Sequence, residues 1–248
     1  MDWSKAKNIL IAALLITNLV LGMAIYRNIN GSGRNEQETI KQNTILLLQD
    51  HGIFVDEEQV PEKTERLPVL SVRYRTLSEE SIALAIGDSR IDLSPSASEE
   101  DYCQAAEQLL RGMGLFQDYF RCEGRQEEDG AYVISYGMEF EDHYLDNSKL
   151  KVVFREGKPV DISSSWAEPV EMGQNKKKVR SASEALIRFM TMLETGSQEA
   201  PIQVEQISLV YWLEGYTENG GVSEDTAVPY WCIQYNGGDS LHIAAYEE

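Results

Sequence analysis

The feature that most constrains this chain is an uninterrupted apolar segment near its amino terminus. Residues 9–26 carry no charged side chain and lie between Lys5 and Lys7 on one side and Arg27 on the other. A helix rises about 1.5 Å per residue, so such a segment covers roughly the 30 Å hydrocarbon layer of a bilayer. It therefore predicts one transmembrane helix. Because the side richer in Lys and Arg stays cytoplasmic, we expect residues 1–8 in the cytoplasm and the rest of the chain outside it.

A cleaved secretory signal is the alternative interpretation of this segment. Lys5 and Lys7 resemble a signal n-region, and residues 22–24 (Gly-Met-Ala) resemble a cleavage site. However, signal h-regions usually span about 7 to 15 residues, which is shorter than this run. The run also ends in residues 25–27 (Ile-Tyr-Arg), which are typical of a membrane interface. These two observations favour an uncleaved anchor.

One face of the predicted helix combines a polar side chain with small ones. Asn18 lies in the middle of the apolar run, where an amide without a partner costs about 1–3 kcal/mol. Gly22 follows one turn later, and Ala13 and Thr17 lie nearby. Small residues let a second helix approach closely, so we predict that these four residues contact a partner helix. The alternative is one Asn tolerated through tilt of the helix or a water molecule.

The remainder of the chain is strongly acidic. The net charge is −19, and the first 31 residues hold only three basic groups and one acidic group. Residues 32–248 therefore carry 19 basic and 40 acidic groups, a net charge of −21. A surface of this sign repels nucleic acid and anionic lipid heads, so we expect no nucleic-acid partner. The chain is 42% apolar, which is enough to build a folded core.

Capping signals predict three helices beyond the membrane. The first ends at Gly52, because glycine commonly follows the last turn of a helix. The second and third begin at Ser98 and Ser181, and Asp101 and Glu184 complete a capping box three residues later. Each of these two helices carries an apolar stripe of helical period, which indicates one buried face.

Alternating side chains and turn residues predict the strands. Short turns join most of them, which favours antiparallel pairing because parallel strands need a long crossover connection. The predicted strands cover residues 69–74, 81–86, 119–123, 131–144, 150–155, 160–166, 204–215, 228–235 and 241–246.

The two capped helices begin 83 residues apart, and strands follow each of them. This spacing predicts an α+β ectodomain made of two tandem helix-plus-antiparallel-sheet modules behind the transmembrane helix. The alternative is a single α+β domain with two similar helices. The predicted order is a cytoplasmic segment (1–8), the transmembrane helix (9–26), a linker (27–35), a first module (36–166) and a second module (167–248).

Cysteine and histidine are too sparse in the sequence to indicate a metal site. Cys103, Cys122 and Cys232 lack the C-x-x-C spacing, and the three histidines are far apart. We expect buried free thiols, with a Cys103–Cys122 disulfide as the alternative in an oxidising compartment.

The best acidic cluster lies on one predicted strand, where Glu139, Glu141 and His143 share a face and Asp146 lies just beyond. A cation site is one interpretation, but a solvated face opposite an apolar one is what the alternation predicts. The sequence contains no phosphate loop, dinucleotide fingerprint, nucleophile elbow or zinc-protease motif. We therefore predict a non-enzymatic protein with no catalytic residue, cofactor or metal.

Three segments resemble a known family. Residues 1–7 (MDWSKAK), with the apolar run and Asn18 after them, are similar to the start of YycI, a membrane-anchored regulator of the sensor kinase WalK (YycG) in Gram-positive bacteria. Residues 229–233 (PYWCI) and 241–246 resemble the final strands of YycI and its relative YycH. Residues 181–186 (SASEAL) resemble a helix start in the same modules and in PepSY-type domains. The chain departs from the family pattern at Cys232, where a basic residue is expected.

The resemblance implies a non-enzymatic accessory protein of the cell envelope. Its transmembrane helix would pack with those of a WalK-like sensor histidine kinase and of a YycH-like protein, and its ectodomain would pair with YycH outside the cell. Kinase output would then depend on a shift between two helix-packing states. The alternative is a membrane-tethered, PepSY-like inhibitor or binding module that acts on envelope enzymes or ligands.

The choice between anchor and signal peptide predicts a different amino terminus for the exported protein. If the apolar run is an anchor, protein extracted from membranes should retain its first residues, because no cleavage follows insertion. Intact-mass measurement of the membrane-extracted chain checks this. A mature product that begins near Ile25 would contradict the anchor and leave a secreted protein.

Overall fold

The chain has an α+β fold with a large mixed sheet, seen in a computed structural model. The structure describes residues 14, 17–23, 37–62, 66–94, 96–194, 201–214 and 224–246. The helices are α1 (37–50), α2 (Glu79–Asp88), α3 (Glu99–Gly112) and α4 (Ala182–Glu194). The strands are β1 (Ile53–Phe54), β2 (Arg66–Leu67), β3 (Leu70–Thr76), β4 (Phe120–Glu128), β5 (Ala131–Phe140), β6 (His143–Arg155), β7 (Lys158–Ile162), β8 (Ser165–Met172), β9 (Lys177–Lys178), β10 (Ile202–Trp212), β11 (Glu224–Tyr235) and β12 (Asp239–Ala244).

Side-chain caps start the two longest capped helices, as predicted. At α3, Asp101 N donates to Ser98 Oγ and Ser98 N donates to Asp101 Oδ2 at 2.8 Å. At α4, Glu184 N donates to Ser181 Oγ and Ser181 N donates to Glu184 Oε2 at 2.8 Å. Each pair satisfies two backbone donors that the first turn of a helix leaves without a partner, so both capping boxes are confirmed.

The chain divides into two units. The smaller comprises Met1–Lys63 and Ser181–Glu205, and the larger comprises Thr64–Arg180 and Gln206–Glu248. The predicted boundary between residues 166 and 167 stays a prediction.

In the smaller unit, a glycine follows the end of α1, as predicted. Gly52 has a φ of +77°, which favours a residue without a side chain. Its carbonyl accepts a hydrogen bond from Ile202 N at 2.9 Å, and Ile53 pairs with Ile202 in parallel. The end of α1 thus leads directly into the pairing of β1 with the first residues of β10.

In the larger unit the sheet order is β4-β5-β6-β10-β11-β3-β8, with β7 beside β6 and β12 beside β11. The prediction of purely antiparallel sheets is wrong, because β10 pairs in parallel with β6 at Tyr211 and Leu145. The chain between these strands, residues 156–201, includes α4 and is long enough for the crossover that parallel pairing needs.

Two predicted strands also differ from the structure. Residues 81–86 form most of α2, because Ser78 Oγ accepts a hydrogen bond from Ser81 N at 3.2 Å and caps a helix there. A short apolar run is compatible with the period of a helix or of a strand, and the N-cap at Ser78 favours the helix. The predicted strand 131–144 is two strands, separated by a turn at Glu141 and Asp142 with φ of 48° and 66°. The alternation of apolar and polar side chains continues through this turn, so the sequence pattern does not indicate it.

The main core of the larger unit lies between α3 and the sheet. Tyr102 of α3 is 1% exposed, and its ring makes edge-to-face contacts with the rings of Tyr132 and Phe154, at centroid distances of 5.1 and 5.3 Å. Leu110, about two turns further along α3, is fully buried. The apolar stripe that the sequence shows on α3 therefore faces the sheet, as its period predicts.

A disulfide joins α3 to β4. Cys103 and Cys122 are bonded, with their Cα atoms 6.2 Å apart, and Cys232 is a buried free thiol. The expectation of free thiols is therefore wrong for the first two cysteines. Tyr136 OH donates to the Cys103 carbonyl at 2.6 Å, which adds a second connection between α3 and the sheet.

Within the described residues, no helix combines the length and the apolar character needed to cross a membrane. Only residues 14 and 17–23 of the predicted span 9–26 belong to that part of the chain, and they are helical.

Removing the disulfide should destabilise the larger unit. The bond closes a loop with a sequence separation of 19 residues, so Cys103→Ala/Cys122→Ala should lower the free energy of unfolding by roughly 3 kcal/mol. Chemical denaturation of the two proteins measures this difference. As a control, reductant should destabilise the wild type and leave the double variant unchanged. Three titratable thiols in unreduced, denatured wild-type protein would contradict the bond.

Candidate functional site

Strand β6 carries a wide bulge where it faces β5. Leu145 pairs with Met138 and Leu150 pairs with Tyr136, so residues 146–149 lie opposite a single residue, Gly137. We call residues 146–149 the β6 bulge. A bulge interrupts the hydrogen-bonded ladder and redirects side chains, and such features often occur beside functional sites.

Side chains of the β6 bulge replace the missing ladder contacts. Asn147 Nδ2 donates to the Leu213 carbonyl at 2.7 Å, and Leu213 N donates back to Asn147 Oδ1 at 3.0 Å. The fully buried Ser148 accepts a hydrogen bond from Ala167 N at 2.7 Å. Both amino acids bond to backbone, so they satisfy polar groups that burial would otherwise leave unpaired.

The first residue of the bulge, Asp146, joins two residues of the β11–β12 hairpin. His242 Nε2 lies 2.6 Å from Asp146 Oδ2. Cys232 is directly opposite His242 in the antiparallel pair. One donor atom from each of these three side chains lies within 4.8 Å of the other two. We call Asp146, Cys232 and His242 the Asp-Cys-His cluster.

The Trp212 side chain orients the histidine of this cluster. The indole and imidazole rings lie 3.8 Å apart between centroids, with an angle of 32° between their planes. Trp212 ends β10, directly before the Leu213 backbone that Asn147 holds. The bulge therefore positions both Asp146 and the ring that packs on His242.

Burial and hydrogen bonding shift the pKa values of Asp146 and Cys232. The hydrogen bond from His242 is the main cause that lowers the pKa of Asp146, although partial burial acts in the opposite direction. Burial, with the nearby Asp146 charge, raises the pKa of the Cys232 thiol to about 12. Cys232 is thus a neutral thiol at neutral pH. This does not fit a cysteine nucleophile, which needs a lowered pKa.

The sequence did not predict this cluster because its members are far apart in the chain. Only the pairing of Cys232 with His242 across the predicted final hairpin is a local signal, and it depends on knowing the register. Asp146 joins them through the parallel neighbour relation of β6 and β10, which local pattern does not indicate. Among the described residues, these are the only three His, Cys, Asp or Glu side chains grouped closely enough to hold a metal ion.

The predicted helix-contact residues are partly described. Asn18 and Gly22 lie four positions apart in the helical segment 17–23, and they and Thr17 are exposed. Among the described residues, a Cβ atom added at Gly22 would have no heavy atom within 4 Å outside its immediate chain neighbours and its own helix backbone. Ala13 lies outside the described residues. A spacing of four places Asn18 and Gly22 on one helix face, with open space beside the glycine.

The predicted acidic strand face does not form one cluster. Glu139 makes an ion pair with Arg121 at 2.7 Å, and His143 Nδ1 lies 2.8 Å from the Glu141 carbonyl within the turn. Asp146 belongs instead to the Asp-Cys-His cluster. The turn at Glu141 and Asp142 is the reason, because it ends the alternation that placed these side chains on one face.

A cavity of about 370 Å³ lies between α2 and α3. Its lining mixes apolar side chains such as Leu109 and Met113 with polar and charged ones such as Gln108, Asp88 and Arg90. It therefore lacks the mostly apolar lining that small-molecule binding sites commonly have.

Comparison with known proteins does not place the chain in a family. No protein-family model matches it, and no curated protein matches it. Among solved structures, an uncharacterized protein from Eubacterium rectale ATCC 33656 matches with a TM-score of 0.36 and 14% sequence identity, over 59% of this chain and 51% of that one. The match thus spans about half of that protein, and at this similarity it does not identify the fold or the function.

Loss of the Asp146 carboxylate should destabilise the fold. We expect Asp146→Asn to lower the free energy of unfolding at pH 7 by about 1.5–3 kcal/mol, which is the range for a hydrogen bond to a charged group. Unfolding is measured in the presence of a metal chelator. Because the folded pKa of Asp146 is lowered, its ionised form stabilises the fold above the unfolded pKa near 3.8, and this is lost as the pH falls through the folded pKa.

Asp142→Asn is the matched control for this experiment. Asp142 is exposed and has positive φ, which Asn tolerates, so the change should stay within about 0.5 kcal/mol. If Asp146→Asn proves as stable as the wild type at pH 7, Asp146 does not hold the hairpin as described.

Proposed function

We propose that the chain is a single-pass membrane accessory protein that regulates an envelope-sensing, WalK-like histidine kinase. The observation that carries the proposal is the exposed face formed by Asn18 and Gly22 within an uncharged run. The resemblance of residues 1–7 and 229–233 to YycI supports the same function. The transmembrane helix over residues 9–26 and the two tandem ectodomain modules are parts of this proposal.

Hydrogen bonding inside the bilayer is the proposed basis of helix contact. A hydrocarbon layer supplies no partner for the Asn18 amide, so association with another helix is favoured where that helix offers a polar group. Open space beside Gly22 lets the second backbone approach closely. The partners we propose are the helices of the kinase and of a YycH-like protein.

The ectodomain would lie outside the cytoplasm. The Cys103–Cys122 disulfide supports this location, because disulfides persist mainly in oxidising, extracytoplasmic compartments. The charge of Lys5 and Lys7 before the apolar run supports the same orientation. Ectodomain pairing can alter kinase output only if the YycH-like partner binds one of the two helix-packing states more tightly than the other.

Substitution of Asn18 tests the proposed contact. Asn18→Leu should weaken association with the kinase or the YycH-like protein by about 1 kcal/mol, or roughly fivefold, because it removes the interhelical hydrogen bond. Quantitative co-purification of the full chain from membranes in mild detergent, together with transcription of the kinase's target genes, measures the effect. Gly22→Leu should weaken it as well, by blocking close approach.

Val20→Leu is the matched control, because position 20 lies on another face of the helix and the change keeps its hydropathy. It should leave partner recovery and transcription unchanged. If neither Asn18→Leu nor Gly22→Leu alters recovery or transcription while all variants reach the membrane, helix contact through this face is wrong.

A further inference from the structure

The Asp-Cys-His cluster offers three different metal-binding atoms from three strands. Asp146 supplies a carboxylate oxygen from β6, Cys232 a sulfur from β11 and His242 an imidazole nitrogen from β12. Zinc in proteins is bound by this set of atoms, at about 2.0–2.2 Å from oxygen and nitrogen and about 2.3 Å from sulfur. We propose that the cluster is a binding site for Zn²⁺ or a closely related divalent transition metal. The inference does not depend on the proposed function.

The spacing of the cluster requires only small adjustments. Tetrahedral coordination with those bond lengths places ligand atoms roughly 3.5 Å apart. Asp146 and His242 are now 2.6 Å apart and would separate slightly, and every pair of donor atoms is already within 4.8 Å. Direct pairing of Cys232 and His242 across β11 and β12 keeps the sulfur and the ring on the same face of the hairpin.

Binding would exchange protons for the metal. The Cys232 thiol proton leaves to solvent as the thiolate binds, and the imidazole proton resides on Nδ1 when Nε2 binds the metal. The Cys232 thiol therefore releases one proton for each ion bound. The stack of Trp212 on His242 keeps the ring oriented during this exchange, as outer contacts commonly do in metal sites.

The atoms at the site favour a transition metal over calcium or magnesium. Thiolate and imidazole are ligands for zinc, cobalt, nickel and copper, whereas Ca²⁺ and Mg²⁺ prefer oxygen alone. Cys232 is 2% exposed, but the His242 and Asp146 side chains are 15% and 27% exposed. Solvent therefore reaches the cluster from one side. A metal held by three side chains there has a fourth position for water or for a ligand from solution.

Cobalt substitution gives a direct test on the wild-type full chain. Cys103 and Cys122 are tied in a disulfide, so Cys232 is the only one of the three cysteines that can supply a thiolate. Saturating the purified chain with Co²⁺ should produce the near-ultraviolet absorption of a thiolate-to-cobalt charge transfer. Zn²⁺ should abolish that absorption with a stoichiometry of one ion per chain, and Ca²⁺ should not. Absence of the absorption overturns the site without relying on any variant.

Variants assign the ligands. Cys232→Ser, His242→Gln and Asp146→Asn should each weaken Zn²⁺ binding by at least about 100-fold, since loss of an outer partner alone costs about 10- to 100-fold. His143→Gln, a histidine outside the cluster, is the control and should bind normally. Weak binding that none of the three variants changes would identify nonspecific attraction to an acidic protein and would overturn the proposal.

Discussion

The interruption of the β5–β6 ladder at residues 146–149 is the constraint on which the centre of the larger unit depends. A buried backbone must find partners for its N–H and C=O groups, and a wide bulge removes those that a neighbouring strand supplies. Here the Asn147 amide pairs with both backbone groups of Leu213, in the way an adjacent strand would. In the same manner, the Ser148 hydroxyl accepts a hydrogen bond from Ala167 N. This exchange lets β6 face an antiparallel neighbour on one side and a parallel one on the other.

Local features of the sequence predicted the helices well, because a capping box involves residues only three apart. The Ser98–Asp101 and Ser181–Glu184 pairs needed no knowledge of the tertiary fold. The same reasoning failed at 81–86, where a short apolar run fits two periods and Ser78 decides between them. It also failed at the parallel pairing of β10, since strand order is set by contacts between distant residues.

The candidate site was harder to predict than the fold. Asp146 was visible as one more acid beyond a strand, while Cys232 and His242 are ten positions apart and separated by a turn. The spacing of apolar and polar residues along the chain does not indicate that β6 approaches the final hairpin, because that approach depends on the bulge. By contrast, the proposed membrane contact rests on local hydrophobicity and on a spacing of four residues.

The order of the three cysteines bears on how the native pairing is reached. In the proposed topology the amino terminus stays in the cytoplasm and the chain beyond residue 26 crosses the membrane in sequence order, so Cys103 and Cys122 would meet an oxidant before Cys232 emerges and would be joined first. Folding of β11 then removes Cys232 from thiol exchange, because a protonated sulfur that solvent scarcely reaches is a poor attacking group. An odd cysteine thus persists beside a disulfide without scrambling it or coupling two chains together.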